Sequence, residues 1–470
     1  MIVLLGMGLR FYQLGAQSLW FDELFSRRAA LAPTLWAAIE RGSIKDMFPP
    51  IYPAIAYEAV RLPLGPEAAL RLPSAVGGVL AIFATYLLGQ VLVSVRVGLI
   101  AAACMACHWF AVSYSQEGRP YALLLFVASV TSYLAIQLVR AHRAGRSTRG
   151  WLLALGAWGL VACYFHYAGL VFFALSGAVL LAAGRRQLAP VRAVFLTYLA
   201  VGLAFLPWVS VVLAQIGRRL TNQTPPRLSH VMRTFSLLCA THPGWMVLLV
   251  AAGMWASHQH VKSTPTIDSV EERRYQSRTF LTVVGLWIVL TTTAIWIFSH
   301  AVVPIYTHRN MIMVLPACVL LFSWAANNID LRWFNGRPVA AVMLVAGLLF
   351  DLLVVKSTYA EARKEPFRQI TEIIAKESAK LEPDRVAVWA QPAWVGPFLN
   401  EYFELQGTAV RFHPSLVNQP ELQWIVTRDA PLAPPAGCVP QEILRHEPDR
   451  RIPWPGRPMA LYRCASESSP

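Results

Sequence analysis

Long apolar runs separated by short polar clusters constrain this chain more than any other feature. A hydrocarbon layer about 30 Å thick takes roughly 20 apolar residues per helix. The sequence offers eleven such runs, near 1–9, 72–93, 97–112, 121–139, 151–163, 168–183, 193–213, 234–256, 280–298, 311–325 and 338–355. The fold class they imply is mainly α, a polytopic membrane protein of about eleven transmembrane helices. Composition agrees, with 14% charged and 56% hydrophobic residues where soluble domains carry about 25% charged. A net charge of +15 would point to nucleic acid if the cations formed a patch on a polar fold. They sit instead between apolar runs, so no nucleic-acid partner is expected. Seven Cys are too sparse for a disulfide scaffold.

Orientation follows from the loops. Those holding Arg96, Arg140, Arg143, Arg146, Arg149, Arg185, Arg186, Arg192, Lys262, Arg273, Arg274, Arg278, Arg332 and Arg337 carry 14 basic residues on one side, against six in the short loops of the other (Arg119, Arg218, Arg219, Arg227, Arg233, Arg309). The richer side reads as cytoplasmic. With an odd number of spans, the N-terminus is then inside and the C-terminal tail outside, in the inner (plasma) membrane. The first run is too short to cross alone, so the protein's true start is expected to lie upstream. Met1–Gly8 has neither the basic leader nor the small-residue cleavage site of a signal peptide.

Two domains are expected. Residues 1–355 form the transmembrane part, with a first external loop, 10–71, in which Leu35-Trp36 with Ile39, and Ile51 to Val60, read as short helices lying along the interface. Residues 356–470 have the polar balance of a soluble extracytoplasmic α/β domain. There Glu365–Lys380 and Asn400–Leu405 read as helices, Arg385–Trp389 and Gln423–Thr427 as strands, and Ala430–Pro440 as a loop. Cys438 and Cys464 share this domain, but spacing alone does not decide whether they are bonded.

The polar residues that stand out gather at the outer face. Asp22 and Glu23 follow the first run, and adjacent helical residues point about 100° apart, so one can face a site while the other turns away. A carboxylate there suits a general base or a metal ligand. It equally suits a helix N-terminus, where negative charge is favoured. Glu117 and Arg119 crowd a short turn between two spans, where charge is expensive unless used; an exposed pair worth under about 1 kcal/mol is the plainer alternative. His166 and Tyr167 reach the same edge, and Arg309 precedes the tenth run, where a guanidinium suits phosphate or lipid headgroups. Cys104 and Cys107 lie in mid-span and read as small apolar residues. No nucleotide-binding loop or HExxH zinc motif is present.

Arg10-Phe11-Tyr12-Gln13-Leu14-Gly15, Ser18-Leu19-Trp20-Phe21-Asp22-Glu23, Pro49-Pro50-Ile51-Tyr52, Leu70-Arg71-Leu72-Pro73-Ser74 and Tyr114-Ser115-Gln116-Glu117 follow one another in an order that resembles the bacterial protein O-mannosyltransferase-like and aminoarabinose-transferase-like enzymes of the GT-C superfamily. The resemblance implies an integral membrane glycosyltransferase that takes a sugar from a polyprenyl-phosphate carrier and works on the extracytoplasmic side. The acid of the first external loop would be Asp22, with Glu23 beside it, acting as base in an inverting transfer to an acceptor hydroxyl. Glu117 and Arg119 would line the same cavity with His166 and Tyr167, while Arg309, Arg119 and Lys45 would hold the departing phosphate. The implied partners are the polyprenyl-phosphate-linked donor, a lipid, glycan or protein acceptor, and membrane lipids. No cofactor is certain and a divalent metal ion stays open. This chain departs from its relatives at Phe48, where His or Lys usually precedes the Pro-Pro pair, and at Asn310, where the usual dipeptide is Arg-Tyr. The rival class is a transporter or flippase of lipid-linked substrates, against which stands the near absence of charge within the runs.

Overall fold

The apolar periodicity becomes helix at all eleven places. Among the described residues of the computed structural model, six helices are long and apolar enough to cross a membrane, namely Pro66–Leu92, Tyr121–Arg143, Tyr167–Gly184, Val191–Gly217, Arg274–Ala301 and Asn310–Trp333. Two further runs are pairs of helices bent at a break, and Ile2–Phe11, Arg149–Phe165 and Val339–Val355 are shorter apolar helices. The structure describes the chain except residues 185–186, 220–224, 241, 263–266, 361–363, 413–421, 429–437, 445–458 and 465–470. Two compact units emerge. The first comprises Met1–Tyr12, Ser26–Pro63 and Ala69–Thr358, and the second Gln13–Phe25, Leu64–Ala68 and Tyr359–Pro470.

In the first unit the helix Leu315–Trp333 is buried along most of its length, and packs against Val95–Cys107, Pro243–Lys262 and Val339–Phe350. Such closeness needs small residues: a Cβ on Gly253 would fall 2.5 Å from the Cα of Ala325. Asp330, buried near the end of this helix, accepts from the backbone N–H groups of Ala340 (2.6 Å) and Ala341 (3.3 Å) and from Arg96 (3.3 Å). One carboxylate thus satisfies first-turn donors of the next helix and pairs with Arg96 at the start of the helix Val95–Cys107.

The expected continuous spans 97–112 and 234–256 are instead broken. Val95–Cys107 and Trp109–Ser115 meet at 58°, and Leu228–Leu238 and Pro243–Gln259 at 65°. His108 causes the first break. Its backbone is extended, its Nδ1 accepts from the N–H of Phe110 (3.2 Å) and caps the new helix, and its Nε2 lies 3.3 Å from the carbonyl oxygen of Leu238. Arg10 answers the carbonyls at the other side of the break, donating to Met105 (2.9 Å) and Ala106 (3.0 Å) as well as to Gly6 (3.2 Å). A cation at a helix C-terminus is favourable, and in lipid every backbone group must find an internal partner. A Cβ on Gly78 would come 2.8 Å from Nε of Arg10 and 2.0 Å from Oγ of Ser115, so glycine is what lets that guanidinium reach the break. Leu35–Arg41 and Ile51–Ala59 are the two short helices expected in the first loop.

The second unit is α/β. Its strands are β1 (Val386–Gln391), β2 (Leu422–Arg428), β3 (Cys438–Leu444) and β4 (Met459–Cys464), in the order β1-β2-β4-β3, with β1 and β2 parallel and the other pairs antiparallel. Helices Phe367–Ser378 and Gly396–Leu405 pack on each other, and Val386, Val388, Trp424, Val426, Phe367 and Phe403 are buried. Two strands expected from sequence are present with slightly different ends. The expected loop Ala430–Pro440 needs correction: Cys438, Val439 and Pro440 begin β3, and the rest of it lies outside the described residues. Pro440 misled because it lacks a donor, but β3 is an edge strand with its register shift at Pro440, where proline is tolerated. Cys438 and Cys464 stand opposite one another in register and form a disulfide.

Candidate functional site

In the first unit the turn between Ser115 and Tyr121 is held from three sides. Gln116 donates to the carbonyl oxygens of Tyr12 (2.8 Å) and Arg10 (3.4 Å), Tyr52 donates through its hydroxyl to the carbonyl of Gly118, and Ser74 donates to that of Arg119 (2.7 Å). Residues from four of the quoted motifs are therefore used to shape one turn. Glu117 and Arg119 within it are both buried, which removes the reading of an exposed ion pair. Arg119 donates to the hydroxyl of Ser26 (2.8 Å), and its guanidinium carbon lies 4.7 Å from the ring centre of Phe48.

From Phe48 a row of rings continues. Phe48 and His166 are 5.6 Å apart between ring centres, His166 and Tyr121 6.0 Å, and the guanidinium carbon of Arg309 sits 5.7 Å from the centre of Tyr121. The structure thus places Arg119 and Arg309 at the two ends of one aromatic row, with His166 between them. Arg309 is buried as well. The N–H of Ala168 donates to Nδ1 of His166 (3.0 Å), so the proton of the neutral ring resides on Nε2.

Asn310 has its own local use. Its side chain donates to the carbonyl of Ile305 (2.7 Å) and its N–H to Oγ1 of Thr307 (3.2 Å), folding back the segment that presents Arg309. His308 is mostly buried, 3.4 Å from the hydroxyl of Thr234. Burial, followed by the positive charges of Arg233, His230 and Arg309, lowers its pKa to about 4, so it is neutral at physiological pH. Tyr167 works in the framework: its hydroxyl donates to Gln215 (2.6 Å), whose amide donates to the carbonyl of Ser43 (2.8 Å). Lys45 belongs to the π-turn Gly42–Asp46, and its side chain lies outside the described residues.

Asp22 and Glu23 belong to the second unit, at the second and third positions of the helix Phe21–Ala30. Glu23 is fully buried. Its Oε2 accepts from the N–H of Trp20 (3.2 Å), the return half of a capping box, and its Oε1 pairs with Lys364 (2.9 Å). The N–H of Phe21 goes to Glu365 (2.7 Å), which is also bound by Arg428 at 2.7 and 2.5 Å. Burial raises the pKa of Glu365, Arg428 and the Phe21 bond oppose that rise, and the negative charge of Asp22 adds to it. Arg428 stacks on Phe21 (5.1 Å) and Trp394 (4.8 Å). Of the acid pair, Asp22 is only half-buried. Lys364, Glu365 and Arg428 escape sequence reasoning, because two charges directly before Pro366 read as an ordinary solvated helix start. Among the described residues no three His, Cys, Asp or Glu side chains converge as a metal cage.

Comparison with known proteins fits this geometry. Residues 48–214 match the family described as dolichyl-phosphate-mannose-protein mannosyltransferase, a stretch that includes Phe48, Glu117, Arg119, Tyr121 and His166. No curated protein matches the chain. Among solved structures, ArnT from Cupriavidus metallidurans bound to undecaprenyl phosphate is 15% identical, with 98% of this chain and 97% of that one covered at a TM-score of 0.53. The same protein in the apo state gives 14%, 98%, 97% and 0.55. The Archaeoglobus fulgidus oligosaccharyltransferase, in complex with Zn and sulfate, is 14% identical over 91% of this chain and 67% of that one, at 0.52. The chain accordingly shares its fold with these solved structures, with a small α/β unit towards its C-terminal end.

Proposed function

We propose that this chain is an integral membrane glycosyltransferase that takes a sugar, hexose or pentose, from a polyprenyl-phosphate carrier and passes it to an acceptor hydroxyl on the extracytoplasmic face of the plasma membrane. The observation that carries this reading is the pair of buried guanidinium groups, Arg119 and Arg309, bracketing one row of aromatic rings. A buried cation is costly in a membrane protein, and two of them at the end of a helical bundle suit a ligand with an apolar tail and an anionic head. The match to the mannosyltransferase family around Arg119 and the undecaprenyl phosphate bound by a protein of the same fold support a polyprenyl carrier.

In this reading Asp22 takes the proton of the acceptor hydroxyl while that oxygen attacks the anomeric carbon from the side opposite the carrier. The bond between the anomeric carbon and the carrier phosphate breaks, the configuration inverts, and the polyprenyl phosphate leaves with the electron pair. Its growing negative charge falls to Arg309 and Arg119, with Lys45 as a further cation, in surroundings where fixed donors act more strongly than in water. His166 lies in the aromatic row beside the leaving group, Glu117 and Tyr167 shape the sugar's surroundings, and Glu23 fixes the helix that carries Asp22. No step is routed through a divalent ion. The acceptor is a lipid, glycan or protein hydroxyl.

The test is transfer by the full chain in proteoliposomes supplied with polyprenyl-phosphate-linked sugars. The wild-type protein is expected to transfer, and Asp22→Asn and Arg309→Ala to fail while unfolding at the wild-type temperature. Movement of the intact donor across the bilayer without any transfer would replace this reading with a flippase.

A further inference from the structure

Away from the aromatic row, the first unit carries a second feature suited to a ligand. The helix Tyr121–Arg143 leads from Tyr121 to His142, a rise of about 30 Å at 1.5 Å per residue. There a groove of ≈ 930 Å³ opens where residues 145–148 and the helix Arg149–Phe165 meet the helix Val191–Arg219. That volume lies near the top of the range of about 300–1,000 Å³ usual for ligand sites.

One end of the groove is polar and basic, with His142, Arg146, Ser147, Thr148 and Arg149, and apart from Thr197 the rest is apolar. Gly156, Ala157 and Ala200 leave the slot open because they carry almost no side chain. Beneath it the helices nearly touch, since a Cβ on Gly156 would come 3.1 Å from Cγ2 of Thr197. No acidic residue lines the groove, and the sequence holds no Asp or Glu from Gly118 to Ile267. Arg146 and Arg149 are exposed and form no ion pair among the described residues. Arg149 also opens a helix whose N-cap, Thr148, makes no side-chain bond to it, so first-turn N–H groups add to the positive field.

We infer that this groove binds an anionic phospholipid, its headgroup phosphate between Arg146 and Arg149 and one acyl chain along Gly156, Ala157 and Ala200. The apolar wall continuing from the basic mouth is what selects a lipid over a free phosphate ion, which would leave that wall unused. Basic sites between transmembrane helices are suited to such headgroups. The site is independent of the transfer reaction, so either can fail alone.

The experiment is native mass spectrometry of the full chain in detergent, titrated with phosphatidylglycerol, phosphatidylcholine or inorganic phosphate. Phosphatidylglycerol is expected to bind at least about tenfold more tightly than phosphatidylcholine. Arg146→Gln with Arg149→Gln, both on exposed positions, should erase that preference. Ala157→Trp or Ala200→Trp, which fill the slot without touching the cations, should weaken the lipid alone. Equal binding of the two lipids means an annular lipid only and overturns the proposal. So does a preference that survives the double arginine variant, or inorganic phosphate competing while the tryptophan variants bind lipid normally.

Discussion

Arg119 rests on the face of Phe48, its guanidinium carbon 4.7 Å from the ring centre, and reaches Ser26 at 2.8 Å with one nitrogen. The contact gives Phe48 a use: its ring steadies a cation supplied by the turn between Ser115 and Tyr121. Arg119→Lys keeps the charge but loses the planar stack. Transfer is expected to fall about 100-fold, and about tenfold in Phe48→Ala. Because both act through one contact, the double variant should be hardly slower than Arg119→Lys alone. Steady-state rates of the four proteins in one proteoliposome preparation check this, and multiplying effects would refute it.

Arg10 is a matter of stability. It is fully buried and donates to the carbonyls of Met105 and Ala106 at the break after Cys107, and to that of Gly6 in its own helix. Arg10→Met leaves those acceptors without their donor in an apolar setting, at a cost of about 3 kcal/mol. Gly78→Val should do comparable harm by blocking the guanidinium's approach. Unfolding of the purified protein in detergent measures both, and a loss below about 1 kcal/mol for Arg10→Met would show that the break holds itself.

His308 gives the protein an acid limit. Its folded pKa of about 4 lies below the ordinary 6.5, so the unfolded chain takes up this proton before the folded one does. The stability it contributes is complete above pH 6.5 and declines as pH falls toward 4, by about 3 kcal/mol at most, at 1.36 kcal/mol per unit. His308→Gln should flatten that part of a stability-against-pH curve. An unchanged slope would assign the acid sensitivity to another group.

Much of this architecture is written in the apolar period. Twenty or so residues that must each satisfy a backbone in lipid leave helix as the answer, so helices appear wherever the sequence runs apolar. The breaks at His108 and near Leu238 are not legible, because a helix interrupted in mid-membrane keeps its apolar composition and differs only in where Arg10 and His108 send their hydrogen bonds. The candidate site divides in the same way. Arg119, His166 and Arg309 stand out in sequence as polar groups at the ends of apolar runs. Their connection through Phe48 and Tyr121 depends on residues more than 180 positions apart in the chain, and Tyr121 reads as a mere helix start. Glu365 and Arg428 were hidden by distance too, each looking like a solvated charge until β2 brings the second to the first.

The disulfide bears on orientation. Cys438 and Cys464 face each other on neighbouring strands and close a loop of 26 residues' separation. Such a bridge persists in an oxidising compartment, so it offers a test of the positive-inside reading of the tail. Cys438→Ser should lower the stability of the second unit by about 3 kcal/mol. On intact cells, a membrane-impermeant thiol reagent should label these two cysteines only after reduction. Labelling that requires cell lysis would put the C-terminal domain on the cytoplasmic side.

The acid pair at the start of the helix Phe21–Ala30 can be separated by what each carboxylate already holds. Glu23 is buried with Lys364 on one oxygen and the N–H of Trp20 on the other, so Glu23→Gln breaks a buried ion pair and is expected to cost about 3 kcal/mol in unfolding. Asp22 is half-buried one residue earlier, where a change to Asn preserves shape and removes the negative charge together with the capacity to take a proton. Asp22→Asn should therefore move the unfolding midpoint little and slow transfer by about 100- to 10,000-fold. The same variant should still bind the lipid-linked donor, since the guanidinium groups are untouched. Comparing donor affinity with turnover in the two variants decides the assignment. If Asp22→Asn turns over at the wild-type rate, or loses donor binding in step with turnover, the base must be sought elsewhere.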